Sequence, residues 1–338
     1  MKTPFIRIWH GDVDLAERWG PLLTALTVTD ERGLEADTVA VTLDDRDGRI
    51  VYPRTHETIR IEGGYLEIGA VVQGDYIIDQ VDLTGWPQTI VLHGASVDAL
   101  SAAKERRTEA HQPPAVPTLG ALADLIAARN GWIARVAPAL AAVPVEYEAQ
   151  TAESDPSFLG RVAARHGGLV AIKQGHLVVA PQSAGVSVSG RTLDPLVIRT
   201  GVNLLDYRVS WKDREKHGTI QARTYDRGRV EAVEVEAGDG STGVAYRFRE
   251  PFPSAAEAQA AVNAKAAALK RAEGSATFTL EGDPAMAAER PVEVIDVRAG
   301  VDGRWTPMRV EHRWSADGYT TVVECETPGS GDTRGTGS

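Results

Sequence analysis

Gly238-Asp239-Gly240-Ser241-Thr242-Gly243 matches G-x-G-x-x-G, a loop that can cradle a dinucleotide pyrophosphate. That chemistry needs a helix opening directly after the loop. Val244 to Arg249 reads instead as a strand, so the six residues are expected to form a hairpin turn. Asp45-Arg46-Asp47-Gly48 resembles part of a calcium loop, but Arg49 stands at the third ligand position and a turn is expected. The eight histidines include no H-E-x-x-H and no i,i+4 pair. His166 falls near a helix C-terminus, where a partly positive ring suits the dipole. His312 lies in an alternating strand beside Glu311, and both histidines read as structural or surface residues. Glu324 and Glu326 share one strand face, but spacing alone cannot select an acid/base pair. No P-loop and no G-x-S-x-G elbow occurs. The sequence therefore assigns no catalytic residue, no cofactor and no metal ligand.

The elements around these residues are mostly strands. Phe5–Trp9, Leu26–Asp30, Thr38–Leu43, Thr58–Glu62, Tyr65–Val72, Tyr76–Leu83 and Thr89–His93 alternate or run apolar. Turns are expected at Gly63-Gly64, Gly74-Asp75 and Thr84-Gly85-Trp86-Pro87. Residues 101–117 read as a linker or domain edge, with the basic run Lys104-Glu105-Arg106-Arg107 solvated. A helix follows from the cap Thr118 to the stop Gly131. A second has Asp155 as cap, Pro156 at its first position and Gly167-Gly168 at its end. A hairpin, 169–172 and 176–180, comes next. Further strands are expected at Leu205–Trp211, Thr219–Tyr225 and Val230–Glu236, with turns at 226–229 and 238–241. A helix over 254–272, boxed by Ser254 and Glu257, has alanine at ten of the positions 255–272. Four more strands run through Cys325, and 329–338 reads as a flexible tail.

Two β stretches repeat faintly. Thr58–Ile61, Tyr76–Val81 and Thr89–His93 are echoed by Val292–Ile295, Trp305–Val310 and Tyr319–Val323. The fold class is α+β, mainly β: a β-domain over 1–98, an inserted α/β domain with its linker over 99–190, and a related β-domain over 191–328.

Composition supports a folded chain of about two domains or more, with 338 residues, 43% hydrophobic and 25% charged. A net charge of −11 argues against a chain that lives on duplex DNA. One cysteine, Cys325, forms no internal disulfide and no Cys-only zinc site. Neither an export signal nor a membrane-spanning run of about 18 apolar residues is seen, so no membrane insertion of this chain is expected. Trp9, Trp19, Trp86, Trp211, Trp305 and Trp314 are spread through β segments as core or interface anchors.

The segment around Glu153-Ser154-Asp155, Phe158-Leu159, Arg161, Gly167 and Lys173-Gln174-Gly175-His176-Leu177 resembles the phage late control protein D family, the tail baseplate hub proteins. The hub part of the type VI spike protein VgrG carries a similar segment. The Ala-rich helix, Ala276-Thr277-Phe278, Gly282-Asp283-Pro284, Gly303-Arg304-Trp305 and Gly318-Tyr319-Thr320-Thr321 extend the resemblance to about residue 327.

The resemblance implies two tail-tube-like β-barrel domains in one chain. It implies a homotrimer whose six barrels form a pseudo-hexameric ring between the tail tube, or a tube initiator, and a separate trimeric spike protein. Other baseplate proteins are expected as neighbours. DNA would pass the acidic lumen without specific binding. The expected place is the virion tail, in a phage or a contractile injection system, assembled in the host bacterial cytoplasm. A cell-wall-degrading hydrolase and a glycan-binding module at the tail tip are the alternatives.

Overall fold

The computed structural model describes residues 2–97, 105–182, 185, 189, 191–212, 219–226, 231–237, 245–249 and 251–328. Expected features at Lys104, 227–229, 238–243 and 329–338 lie outside these residues.

The first β unit contains β1 (Pro4–His10), β2 (Val13–Asp14), β3 (Leu23–Glu31), β4 (Thr38–Asp44), β5 (Thr58–Tyr65), β6 (Gly69–Thr84) and β7 (Thr89–Ser96), with a short helix α1 (Ala16–Trp19). Its strands alternate because one face is dry: Leu26, Val28, Val41, Leu43, Ile59, Ile61, Ile78 and Leu92 are buried together. Asp45 Oδ1 accepts from the backbone N–H of Arg49 and Ile50, so this loop is a closed turn.

The insert holds β8 (Arg106–His111), α2 (Leu119–Asn130), β9 (Ile133–Val136), α3 (Pro138–Ala141), β10 (Glu148–Ser154), α4 (Asp155–Arg165), β11 (Gly168–Lys173) and β12 (His176–Pro181). It has its own core, including Leu122, Ile126, Phe158, Leu159, Leu177 and Val179. Thr118 caps α2 by accepting from Ala121 N at 3.2 Å, and Gly131 ends it at φ 75°.

The last part contains β13 (Leu196–Arg199), β14 (Leu204–Trp211), β15 (Ile220–Asp226), β16 (Glu231–Ala237), β17 (Tyr246–Arg247), α5 (Ala255–Arg271), β18 (Gly274–Glu281), β19 (Val292–Ile295), β20 (Gly303–Ser315) and β21 (Gly318–Glu326). Ser254 caps α5 by accepting from Glu257 N. The helix packs on the β15–β16–β17 sheet through Ala258 and Val262, where small alanine side chains allow close approach.

Thirteen of the described strands form one sheet, ordered β14-β18-β21-β20-β3-β4-β7-β6-β5-β1-β2 with β19 and β13 branching from β20. The sequence repeat becomes a duplicated strand order. One unit runs β3-β4-β7-β6-β5-β1, and the other runs β14-β18-β21-β20-β19-β13. Even the irregularities coincide. The β6·β7 ladder slips between Ile78 and Gln80, and the β20·β21 ladder slips between Pro307 and Arg309. The β3·β4 ladder slips between Leu23 and Ala25, and β14·β18 between Leu204 and Asp206. One difference stands out: β1 is antiparallel to β5, whereas β13 is parallel to β19.

Several local expectations change. Gly63-Gly64 is no turn; β5 runs through it and the chain reverses at Leu66–Ile68. A Cβ on Gly63 would lie 2.4 Å from Trp314 Cζ2, and one on Gly64 would lie 2.2 Å from Gly69 O. The glycines are there for close approach, not for chain reversal. Gly74-Asp75 lies inside β6, where φ +151° at Gly74 leaves room for the Tyr76 ring beside a bulge. The supposed linker contains β8, antiparallel to β10. Arg107 there pairs with Glu105 at 2.7 Å, so the basic run belongs partly to a strand ion-pair ladder. Ser154, not Asp155, caps α4, which frees the Asp155 carboxylate for the interior. The strand expected over 244–249 is reduced to Tyr246–Arg247.

Gly63→Val is expected to cost about 1–3 kcal/mol by overpacking against Trp314. Trp314→Ala alone is expected to cost about 3–5 kcal/mol. Denaturant titration of both variants and the double variant should show strong coupling: with the ring gone, the valine's penalty largely disappears.

Candidate functional site

The residues that resemble the hub family serve first as a brace inside the insert. Asp155 is buried at the start of α4. It accepts from Arg129 Nη1 at 3.2 Å, Asn130 Nδ2 at 3.0 Å and Gln150 Nε2 at 3.0 Å, which ties α2, β10 and α4 together. Arg161 grips Glu153 bidentately at 2.9 and 2.8 Å, and that pairing holds the Glu153 carboxyl below its usual range. Phe158 stacks on His111 with ring centroids 5.1 Å apart. Gly167, at φ +69°, turns the chain from α4 into β11. His166 closes α4, but burial and then Arg165 lower its pKa, so the ring is neutral rather than partly positive.

Lys173 is the residue of this motif that reaches outward. At the tip of the β11–β12 hairpin it donates to Asp30 at 2.8 Å, to Asp37, and to Glu31 O at 3.0 Å. The two aspartates are themselves held, Asp30 by Ala288 N and Asp37 by Glu31 N. Burial pushes the Asp37 carboxyl up to about 6 against the pull of Lys173. Burial also opposes the lysine's charge, but the two carboxylates outweigh it and raise its pKa. One ion cluster thus pins the insert to the first unit and the first unit to the loop before β19. Sequence reasoning singles out Lys173 as a motif residue and has no signal for its partners, which lie more than a hundred positions away.

A second cluster joins the units one residue further along the chain. Arg32, after β3, pairs with Glu326 of β21 and, at 3.4 Å, with Glu289. Arg271, at the end of α5, meets Glu326 at 3.3 Å and donates to Gln182 at 3.0 Å. Glu326 therefore serves as a structural clamp, while Glu324 pairs with Arg309 at 3.2 Å. The strand-face carboxylate pair is thus divided between two sets of arginines.

Both clusters sit at the Glu31–Arg309 end of the seam. Residues Arg309–Ser315 of β20 pair antiparallel with Ala25–Glu31 of β3. On the outer face Arg309 meets Glu31 at 3.0 Å. On the inner face Trp314 stacks on Tyr319 at 4.3 Å, and both sit in the core of the first unit. Tyr65 donates to Gly282 O at 2.8 Å. His312 is buried between the Tyr319 hydroxyl at 2.8 Å, Thr321 Oγ1 at 3.2 Å and Met286 O at 3.2 Å, and burial lowers its pKa.

An open cleft is lined by Asp12, Asp30, Asp37, Arg60, Glu62, Asp75 and Lys173; Asp75 is engaged with Arg60 at 2.7 Å, and Asp30 and Asp37 with Lys173. Among the described residues no group of three or more His, Cys, Asp or Glu is placed to hold a metal ion. No described helix is long and apolar enough to cross a membrane. The two ion clusters and the shared strands join surfaces.

Solved tail proteins share this fold over nearly the whole chain. The 43 kDa tail protein of prophage MuSo2 from Shewanella oneidensis superposes with a TM-score of 0.71 at 16% identity, covering 97% of this chain and 99% of that one. A component of the Escherichia coli type VI secretion system superposes at 0.57 and 9% identity, covering 93% of this chain and 75% of that one. Residues 118–318 match the profile of the phage tail baseplate hub family (GPD), and the chain belongs to that family. The "Probable baseplate hub protein" of Escherichia phage 186 is 27% identical, over 96% of this chain and 93% of its own length.

Lys173→Met is expected to cost about 2–3 kcal/mol, less than a fully buried pair because the cluster is partly exposed, and to raise proteolysis at the insert's boundaries. The folded pKa of His312 lies below its unfolded value. Its contribution is therefore complete above about pH 6.5 and is lost as pH falls below that. Urea midpoints should drop on acidification from pH 7.5, and the drop should be smaller in His312→Gln. Asp37 acts with the opposite sign, its raised pKa favouring the fold as it protonates from about 6 downward. The paired comparison removes that contribution.

Proposed function

We propose that this hub works as a homotrimer, a pseudo-hexameric ring of six β units that joins the tail tube, or a tube initiator, to a separate trimeric spike. The observation that carries the reading is the duplicated strand order fused into one continuous sheet. Two like units, held side by side in one chain, supply a third of a six-unit ring, and three chains would complete it. The units divide the chain at 1–98, 99–190 and 191–328, with the insert as a bracket on the outside. Contacts with other baseplate proteins fall to the insert.

The role is structural and not enzymatic. Asp30, Asp37, Glu109, Glu148, Glu153 and Asp155 are held by Arg or Lys, which suits a brace better than a hydrolase. The chain acts in the virion tail of a phage or in a contractile injection system, after assembly in the host cytoplasm. An acidic ring lumen would let DNA slide past without specific binding, because it repels phosphates.

Light-scattering mass combined with electron-microscope class averages tests this. The expected result is a mass of three chains and a three-fold ring with six lobes and a central opening. A compact monomer at every concentration, with clearing on a peptidoglycan zymogram, would replace the hub reading with the hydrolase.

A further inference from the structure

The two units have the same strand order and the same bulges, so each strand has a counterpart at defined register. The bulges set Arg309 of β20 against Gln80 of β6, and Ala25 of β3 against Asp206 of β14. Within the chain, β20 uses its second edge to bind β3. Its counterpart β6 pairs with β5 only as far as Ile77, so the same edge of β6, Asp79–Thr84, has no second ladder among the described residues. The counterpart of β3 is β14, which pairs with β18 on one side and ends the sheet on the other. One copy of the internal seam is made; among the described residues the two halves of a second copy are the terminal strand β14 and half of one edge of the interior strand β6.

We infer that Gln80–Thr84 of β6 in one protomer pairs antiparallel with Arg208–Lys212 of β14 in a second copy of the chain, repeating between chains the β20·β3 ladder made within each. Carried over residue by residue, the internal register places Gln80 opposite Lys212, Val81 opposite Trp211, Asp82 opposite Ser210, Leu83 opposite Val209 and Thr84 opposite Arg208. The proposal rests on the trimeric reading above and names the surface that closes it.

The side chains at the two edges fit this assignment. In the internal seam the core-facing residues Leu26, Val28, Val310 and His312 are all at most 1% exposed. At the open edges two of their counterparts, Val81 and Val209, pack half-buried on the two cores, and the other two are largely exposed, Leu83 at 64% and Tyr207 at 40%. Trp211, next along the same face, is 37% exposed. Trp211 is held on its inner side by Trp305 and by Gly300 O, but exposed Leu83 and Tyr207 on strand edges are an aggregation hazard unless a partner covers them. The opposite face is charge-complementary. Asp79 and Asp82 lie on the β6 edge, and Arg208 and Lys212 on the β14 edge. Asp82 would sit diagonally between the two cations, within reach of long side chains. The contact is head-to-tail, each chain offering one edge of each kind, which is the condition for a closed ring.

The test uses the full chain with Asp82→Cys and Ser210→Cys, treated with a short bismaleimide. Cys325 is buried and leaves the new thiols as the reactive ones. The expected products are covalent species that stop at three chains. Asp82→Cys with Asp206→Cys, about 13 Å out of register along the strand, should link poorly. Leu83→Arg should melt like the parent, since the side chain is exposed in the single chain, and weaken assembly about tenfold or more. A trimer by light scattering that shows no link between positions 82 and 210, or that tolerates Leu83→Arg, would overturn the ladder and leave the trimeric hub standing. Cross-linking that runs past three chains would overturn ring closure. A chain monomeric at all concentrations would overturn the trimer and the ladder together.

Discussion

Strand β20 is hydrogen-bonded along both edges, to β21 on one side and to β3 on the other. A strand with two partners must satisfy two ladders and two faces at once. Its inner face alternates Val310, His312 and Trp314, each nearly dry. The hairpin it makes with β21 is therefore shared property. Val310 and Val323 belong to the core of the second unit, and Trp314 and Tyr319 to the core of the first. Neither unit has a complete core without it. The ion clusters at Lys173 and Glu326 sit together at its Glu31–Arg309 end and fix the insert and α5 there.

Duplication inside one chain has let the two copies diverge where equivalence is not required. Tyr76 and Trp305 occupy matching positions and are both fully buried, as are Val41 and Phe278. The volumes differ, so each core is packed separately. The edges differ more. The first copy of the seam has the Arg309–Glu31 pair and a buried histidine. The corresponding open edges carry leucine, tyrosine and tryptophan. Gly63 shows how one copy adapts to the other: the missing side chain is the space the Trp314 ring fills.

Much of this is legible in the sequence. Alternation locates most strands, and Thr118, Ser254, Gly131 and Gly167 mark helix ends through local hydrogen bonding that the residue types dictate. The repeat is visible as matching turns. What stays hidden is non-local. Glycine pairs read as turns when only a distant tryptophan explains them. Asp155 reads as a cap when adjacent Ser154 takes that role and Arg129, Asn130 and Gln150 claim the carboxylate. The polar strand β8 reads as linker because its alternation is carried by charges rather than apolar residues. Ladder bulges, which align the two units, leave no mark in composition at all.

The seam also orders events in the life of a nascent chain. Ala25–Glu31 emerges early from the ribosome, and its partner Arg309–Ser315 follows almost the whole chain later. Until then the first unit waits with one strand edge bare and no Trp314 beneath Gly63. Contacts of such long sequence separation form slowly. A prematurely terminated chain would keep that edge open and be exposed to proteases and chaperones. Placing the keystone hairpin so late thus acts as a proofreading step on translation: only a chain read past residue 315 can close its seam.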